Sequence, residues 1–338
     1  MAEARFDVPG KFRQFDVHHW ADWVELCCVE NLDGSITRKE MERRLRLKRS
    51  LQTKKVKISE EAPETDQTTL DAAPEDEDII ETEEGLEEVA DWFKHLETRS
   101  KFLGDAYPFS VNENGTRLDF TSKLTENHWI YLSLLMMANL HYFGEIESTL
   151  TSDFEQMCSE ALKQFFPTTA EVHVFGKGRA AASRYTGNIF QRIEKLAGDL
   201  SGNLIAKQED FPPTSTGDAG LDLIAWVPLD DPAPGRFAIF GQCACTPEWT
   251  SKQHSSAPPN WCAGKMHLQI HPVNAVFTPF YLRDLDGEWH RPATDFGPYL
   301  HIDRLRLTSI FKKAEKKFPN LSTVLEAQKI ASVKAKAF

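Results

Sequence analysis

Gly217-Asp218-Ala219-Gly220-Leu221-Asp222-Leu223-Ile224-Ala225-Trp226, answered by Phe237-Ala238-Ile239-Phe240-Gly241-Gln242-Cys243-Ala244-Cys245, is the stretch that decides the fold. A turn rich in Gly and Asp launches an apolar run with one carboxylate at its start. Successive side chains on a strand point to opposite faces, so Asp222, Ile224 and Trp226 share one face and Leu221, Leu223, Ala225 and Val227 the other. Both faces are apolar, as in a strand buried inside a sheet. Pro228-Leu229-Asp230-Asp231-Pro232-Ala233-Pro234-Gly235 is dense in turn formers and ends that strand. The second run resumes the pattern with Ala238, Phe240, Gln242 and Ala244 on one face. An antiparallel hairpin is the simplest arrangement, and it brings Asp222 beside Gln242. A lone acid in an apolar strand is costly without a partner or a task.

The pattern Gly-Asp-x-Gly-x-Asp, then an apolar strand with Gln, resembles the core of Mrr-like nucleases in the PD-(D/E)xK restriction-endonuclease superfamily, over roughly residues 170–310. That resemblance implies an α/β protein with a mixed central sheet flanked by helices. It also implies that Asp222 and Gln242 bind Mg²⁺ (or Mn²⁺), with DNA as substrate. The family's Lys, two residues after the Gln, is replaced by Ala244. Lys252 is the candidate replacement: Thr246 and Pro247 read as a helix start, and the helix would carry Lys252 back toward the site. The other reading of Lys252 is a solvated surface Lys. Family members often place an acid on the helix before the first motif. Here Ile189, Ile193, Leu196 and Leu200 form one apolar stripe, and Glu194 borders it, either as a catalytic acid or as a solvated Glu. Asp218 reads as a turn residue.

The chemistry follows from the ligand types. Mg²⁺ prefers oxygen ligands and keeps several waters, so one or two carboxylates and a carbonyl oxygen suffice. Asp222 supplies the charge, Gln242 an amide oxygen, and the backbone carbonyl of Cys243 another oxygen. Such an ion lowers the pKa of a water and offsets charge on a phosphate. Zinc at Cys243, Cys245, Cys262, His267 and His271 is disfavoured, because Cys-x-Cys departs from the usual knuckle spacing. A Cys-His hydrolase using Cys243 or Cys245 with His254 lacks a nucleophile turn. No P-loop or dinucleotide glycine pattern occurs.

The chain has 338 residues and a net charge of −12. Fifteen acids and no Lys or Arg lie between Ser59 and Asp91, and without them the rest carries +3. Basic residues concentrate over Arg38–Lys57 and from Arg304 onward, and both runs could meet phosphate. No stretch reads as a signal peptide or a membrane span of roughly 20 apolar residues. With six Cys and no secretory signal, a cytoplasmic protein with reduced thiols is expected.

The expected organisation has four parts. Residues 1–51 form a small helical module for docking a protein partner, with a capping box at Thr37-Arg38-Lys39-Glu40. Asn31-Leu32-Asp33-Gly34-Ser35-Ile36 echoes half an EF-hand loop but lacks its first Asp. Residues 52–85 read as an acidic disordered linker. Residues 86–166 read as helical: a helix over 86–98 follows Gly85, Trp129–Phe143 is a buried helix, and Ser152-Asp153-Phe154-Glu155 is a capping box. Residues 167–338 hold the nuclease-like core, with strands at Glu171–Gly176 and Val273–Leu282 and a basic helix opening at Ile302. The resemblance places the protein as an effector nuclease of bacterial anti-phage defence, or as a non-catalytic subunit of the same fold.

Overall fold

The computed structural model describes residues 6–8, 16–47, 76–175, 184–212, 218–290, 295–314, 323–324 and 327. They form two compact units, one built on Met1–Leu124 with Arg283–Glu288, the other on Thr125–Leu282 with Trp289–Lys329. The first boundary therefore falls at Leu124, inside the stretch read as a continuous helical region, and not at residue 51.

The first unit contains α1 (Val17–Glu30), β1 (Ser35–Thr37), α2 (38–47), α3 (Asp76–Leu103), β2 (Phe109–Val111) and β3 (Arg117–Phe120). The strands pair antiparallel in the order β1-β3-β2. The stretch that echoes an EF-hand is a tight turn into β1: the Gly34 amide donates to the Asn31 carbonyl at 2.9 Å, with Gly34 at φ +62°. Only the conformational freedom of glycine makes that backbone inexpensive. Helix α3 begins at Asp76 and runs through Gly85, so part of the expected linker is helical. The rest of that linker lies outside the described residues. Trp20 of α1 stacks on Trp92 of α3, ring centroids 4.6 Å apart. Residues 1–51 thus contribute two helices and a strand to a larger α/β unit that also takes in α3, β2 and β3.

The second unit runs α4 (Glu126–Met137), α5 (Glu147–Phe165), β4 (Glu171–Val174), α6 (Ile189–Asp199), β5 (Asn203–Leu204), β6 (Leu223–Trp226), β7 (Ala238–Cys243), α7 (Trp249–Lys252), α8 (Pro258–Cys262), β8 (Met266–His267), β9 (Val273–Phe277), β10 (Leu300–Ile302) and α9 (Arg304–Ala314). Its main sheet has the order β10-β9-β7-β6-β4. Strands β4, β6 and β7 are joined antiparallel, while β7, β9 and β10 run parallel. The β7–β9 connection passes through α7 and α8, as a parallel crossover requires.

The hairpin expected from the alternation is present: Leu223 faces Gly241 and Trp226 faces Ala238. Every residue of β6 is buried, so a layer covers each side of it. Ile189, Ile193 and Leu196 of α6 pack with Ile224, Trp226, Phe240 and Trp261. Helix α5 lies against β4, β6 and β7. Burying side chains of this size contributes about 1.5–3 kcal/mol each. Strand β9 stops at Phe277, five residues short of the expected end, and Ile302 closes β10 instead of opening a helix. No described helix is long and apolar enough to cross a membrane.

Candidate metal centre

Asp222 lies one residue before β6, at the point where three segments converge. Its amide donates to the Gly241 carbonyl at 3.0 Å, and its carbonyl accepts from the Phe175 amide at 2.7 Å. The backbone is thereby locked between β7 and the end of β4. The carboxylate is 5% exposed. It accepts from the Cys243 amide at 2.7 Å and from the Gln242 side-chain amide. The sequence-derived pairing of Asp222 with Gln242 is therefore a direct hydrogen bond.

That bond has a consequence for Gln242. With its nitrogen turned to Asp222, and also reaching the Cys243 carbonyl at 3.3 Å, its oxygen Oε1 has no hydrogen-bond partner although the residue is 92% buried. A buried oxygen without a donor carries a desolvation cost of about 1–3 kcal/mol. A cation would relieve it.

Two further carboxylates bear on this point. Asp218 sits in a turn whose geometry the sequence dictates: the Gly220 amide donates to its Oδ1 at 2.7 Å, and Gly220 has φ +78°. A Cβ at Gly220 would meet the Ser255 Cβ at 2.5 Å, so glycine is required there. The turn holds the Asp218 carboxyl within hydrogen-bonding reach of Asp222. Asp218 is thus both the turn residue expected and a member of the cluster. The third acid is Glu155, from the middle of α5. Burial, then the charge of Asp218, pushes its carboxyl up to about 7. Burial chiefly, then Asp218, raises the Asp222 carboxyl well above its ordinary value, against the opposing pull of the Cys243 amide.

The sequence reading missed Glu155 because it treated Ser152-Asp153-Phe154-Glu155 as a helix start. The helix begins five residues earlier, at Glu147. Glu155 is therefore a mid-helix acid with no capping duty, three residues before the buried Cys158. Glu194, the acid expected on the helix before the motif, is exposed on α6. The apolar stripe of α6 is as expected, but it turns Glu194 outward.

Lys252 is exposed, at the end of a four-residue helix capped by Glu248 and not by Thr246. The short helix ends before it can aim a side chain back along the sheet. Its charge is felt at Cys245, while the charges that act on Asp222 are those of Asp218 and Glu155. Ala244, at the position of the family's Lys, is fully buried with Trp249, Val276, Phe280 and Leu282. Arg192 of α6, 1% exposed, is a buried cation on which the charge of Asp218 acts.

The thiols do not form the alternatives weighed from sequence. All six cysteines are free. Burial raises Cys158, Cys243 and Cys245, with Cys158 and Cys243 hydrogen-bonded to each other. Protonated, buried thiols are poor nucleophiles. His254 is exposed and bonded to the Tyr299 hydroxyl at 2.8 Å. Among the described residues, three His, Cys, Asp or Glu ligand atoms lie within 4.8 Å of one another at Asp16, His18 and His19, in the first unit, and not at Cys243, Cys245, Cys262, His267 and His271. The three carboxylates around Asp222 stand wider than that spacing. A hard cation takes oxygen ligands and keeps several waters, and the Asp222 carboxylate and the donorless Gln242 Oε1 are the oxygens here that would hold one. The Cys243 carbonyl accepts from the Gln242 side-chain nitrogen at 3.3 Å.

Comparison of the chain with protein-family models, with characterised proteins and with solved structures finds no match.

Proposed function

We propose that the second unit is a divalent-cation-dependent phosphodiester hydrolase with a restriction-endonuclease-like core, acting on DNA. The observation that carries this reading is the buried, donorless Gln242 Oε1 inside a cluster of Asp222, Asp218 and Glu155. Burial and the charge of Asp218 raise the carboxyls of Asp222 and Glu155, and perturbed acids gathered in this way mark a functional site. The mixed five-stranded sheet, with α5 packed against β4, β6 and β7 and α6 packed on the β6–β7 hairpin, is consistent with the α/β class that the resemblance implies.

When bound, Mg²⁺ or Mn²⁺ supplies charge against the phosphate and acidifies a water. The chain's residues do the rest. Asp222, locked by four backbone or amide hydrogen bonds, would hold the ion. Gln242 Oε1 and the Cys243 carbonyl would supply further oxygen ligands. Glu155, held near neutral titration by burial, accepts a proton from water. Lys312 and Lys313, exposed on α9, provide phosphate contacts. Not every basic residue does so: Arg304 is buried, donating to the Pro279 carbonyl at 2.7 Å, and Arg43 and Arg44 pair with Glu40. On the resemblance alone, the setting is bacterial anti-phage defence in the cytoplasm, with protein partners.

One observation favours a second reading, a non-catalytic DNA-binding or scaffold subunit: Ala244 is buried and Lys252 is exposed, so neither supplies the family's lysine. Incubating the full chain with plasmid DNA and Mg²⁺ or Mn²⁺ separates the two. Cleavage lost on Asp222→Ala supports the enzyme. DNA binding without cleavage under either metal supports the subunit.

A further inference from the structure

The first unit gathers ligand atoms of a different kind at the start of α1. Asp16, His18 and His19 each place one such atom within 4.8 Å of the others. Asp16 is the N-cap, in extended backbone at φ −70° and ψ 160°, and Val17 opens the helix, so His18 and His19 stand at its second and third positions. N-cap and third-position side chains meet in a capping box. The chain builds one at α4, where Thr125 accepts from the His128 amide and His128 Nδ1 accepts from the Thr125 amide. At α1 the same two positions are used otherwise. Asp is among the strongest N-cap residues, yet the Asp16 side chain makes no cap hydrogen bond, and its carboxylate stands with the two imidazoles. Consecutive helical residues point about 100° apart, but the rings of His18 and His19 have centroids only 4.0 Å apart, tilted by 34°.

The backbone beneath the rings is fixed. Arg99 donates to the His18 carbonyl at 2.8 Å and is itself held by Asp22 and Glu25. His18 is 1% exposed, and the half-buried Asp16 and His19 give an ion access. A helix start disfavours a cation by about 0.3–1 kcal/mol. Asp16 offsets that, and one turn further on Asp22 and Glu25 bring two acids to one guanidinium. Two imidazoles and a carboxylate suit borderline transition ions, whereas Mg²⁺ and Ca²⁺ take oxygen ligands. Tetrahedral Zn²⁺, with bonds of about 2.0–2.2 Å, sets its ligands about 3.3–3.6 Å apart, within the span these side chains already keep. We propose that Asp16, His18 and His19 form a transition-metal site of the zinc class, with three protein ligands and a fourth position open to water. Its donor set separates it from the all-oxygen centre at Asp222, and it stands or falls independently of that centre.

The test uses the full, untagged chain with one equivalent of Zn²⁺ in a large excess of Mg²⁺, so that an all-oxygen centre is occupied by Mg²⁺. X-ray absorption at the zinc edge is expected to show nitrogen and oxygen at about 2.0–2.1 Å, with the scattering pattern of two imidazoles. Sulfur at about 2.3 Å would put the ion on the cysteines and overturn the proposal. Zinc affinity is then measured by competition with a chromophoric chelator for the wild type, Asp16→Ser and His19→Gln. Ser and Gln are the residues a capping box places at these two positions, so the helix start is kept while a ligand is lost. Loss of a mere outer-shell partner typically costs about 10–100-fold in metal affinity, and each change is expected to cost at least that. A folded variant of either kind that binds Zn²⁺ as the wild type does would overturn the proposal, as would a wild-type chain that retains no Zn²⁺ against Mg²⁺. Should neither variant fold, the wild-type shell decides: two imidazoles without sulfur support the site, and any other shell refutes it.

Discussion

Each unit of this chain buries a cluster of charge, and the two clusters follow opposite plans. In the first unit, Arg99 donates to Asp22 at 2.6 Å, to Glu25 at 2.8 Å and to the His18 carbonyl at 2.8 Å, and the Tyr107 hydroxyl donates to Glu25 at 2.6 Å. Arg99, Asp22 and Glu25 are fully buried. There the acids are met by a guanidinium and a phenol at contact distance. In the second unit, Asp222, Asp218 and Glu155 repel one another, the buried Arg192 guanidinium is committed to a carbonyl, and Gln242 Oε1 has no donor. A buried cluster that closes on itself belongs to the fold. One left open to charge belongs to a ligand. The difference is chemical as well as one of depth: the first cluster is fully buried, whereas the second buries Asp222 and Gln242 but leaves Asp218 and Glu155 half-buried.

The sharpest way to break this contrast is to open the closed cluster. Arg99→Met leaves Asp22 and Glu25 buried without their cation, and such losses cost roughly 3–5 kcal/mol. Denaturant titration of the full chain should show the first transition moved by that amount. A shift below 1 kcal/mol would mean the network is not structural.

The matching change in the open cluster should act on activity and spare the fold. Asp222→Ala removes the best-fixed ligand and should lower DNA cleavage by about 10²–10³-fold, the scale of several kcal/mol of lost charge stabilisation. The melting temperature should hold or rise, because a repelled carboxylate is gone. Full cleavage by a folded Asp222→Ala would remove the metal centre from the second unit.

A third prediction concerns pH. Glu155 titrates near 7 in the folded chain against an ordinary value of 4.5, and Asp222 is raised as well. Between those two values the folded state holds a proton that the unfolded state has released. Stability of the metal-free chain therefore falls as pH rises from about 4.5 to 7 and levels off above. The fall should be about 1–2 kcal/mol once screening at a half-buried carboxyl is allowed for. Glu155→Gln should flatten it, and saturating Mg²⁺ should reverse it. Stability that rises through this window would place Glu155 in a favourable ion pair.

What could be read from the sequence depended on whether the signal was local. The β6–β7 hairpin was legible because strict alternation and a proline-rich turn leave one register, and that register puts Asp222 opposite Gln242. The buried face of α5 follows helical spacing at Phe154, Met157, Cys158, Ala161 and Leu162, all fully buried, while Phe165, where the helix ends, is 49% exposed. Glu155 was hidden by a capping pattern that was met by chance inside a helix. Arg192 was hidden because one basic residue on an amphipathic helix looks the same whether it turns to solvent or to a strand end. Both contributions are tertiary, made by helices that the sheet gathers from distant parts of the chain, and no window of sequence contains them.

The smallest effect is expected at Lys252, and it decides how far the departure from the motif reaches. A lysine that orients water must come within a water's reach of the metal ligands. Lys252 instead ends a four-residue helix, exposed, where salt screens its charge over about 10 Å. Lys252→Ala should then change kcat for DNA cleavage by less than about threefold, with any loss appearing in KM and fading as salt is raised. A salt-independent fall in kcat of tenfold or more would show that α7 rearranges when DNA binds and brings the lysine in. In that case the open cluster is completed by the substrate's arrival, and the free chain shows only part of the site. If the small effect is found, the proposed hydrolase needs no lysine at this position, and Glu155 and Asp218 are the charged groups that act on Asp222.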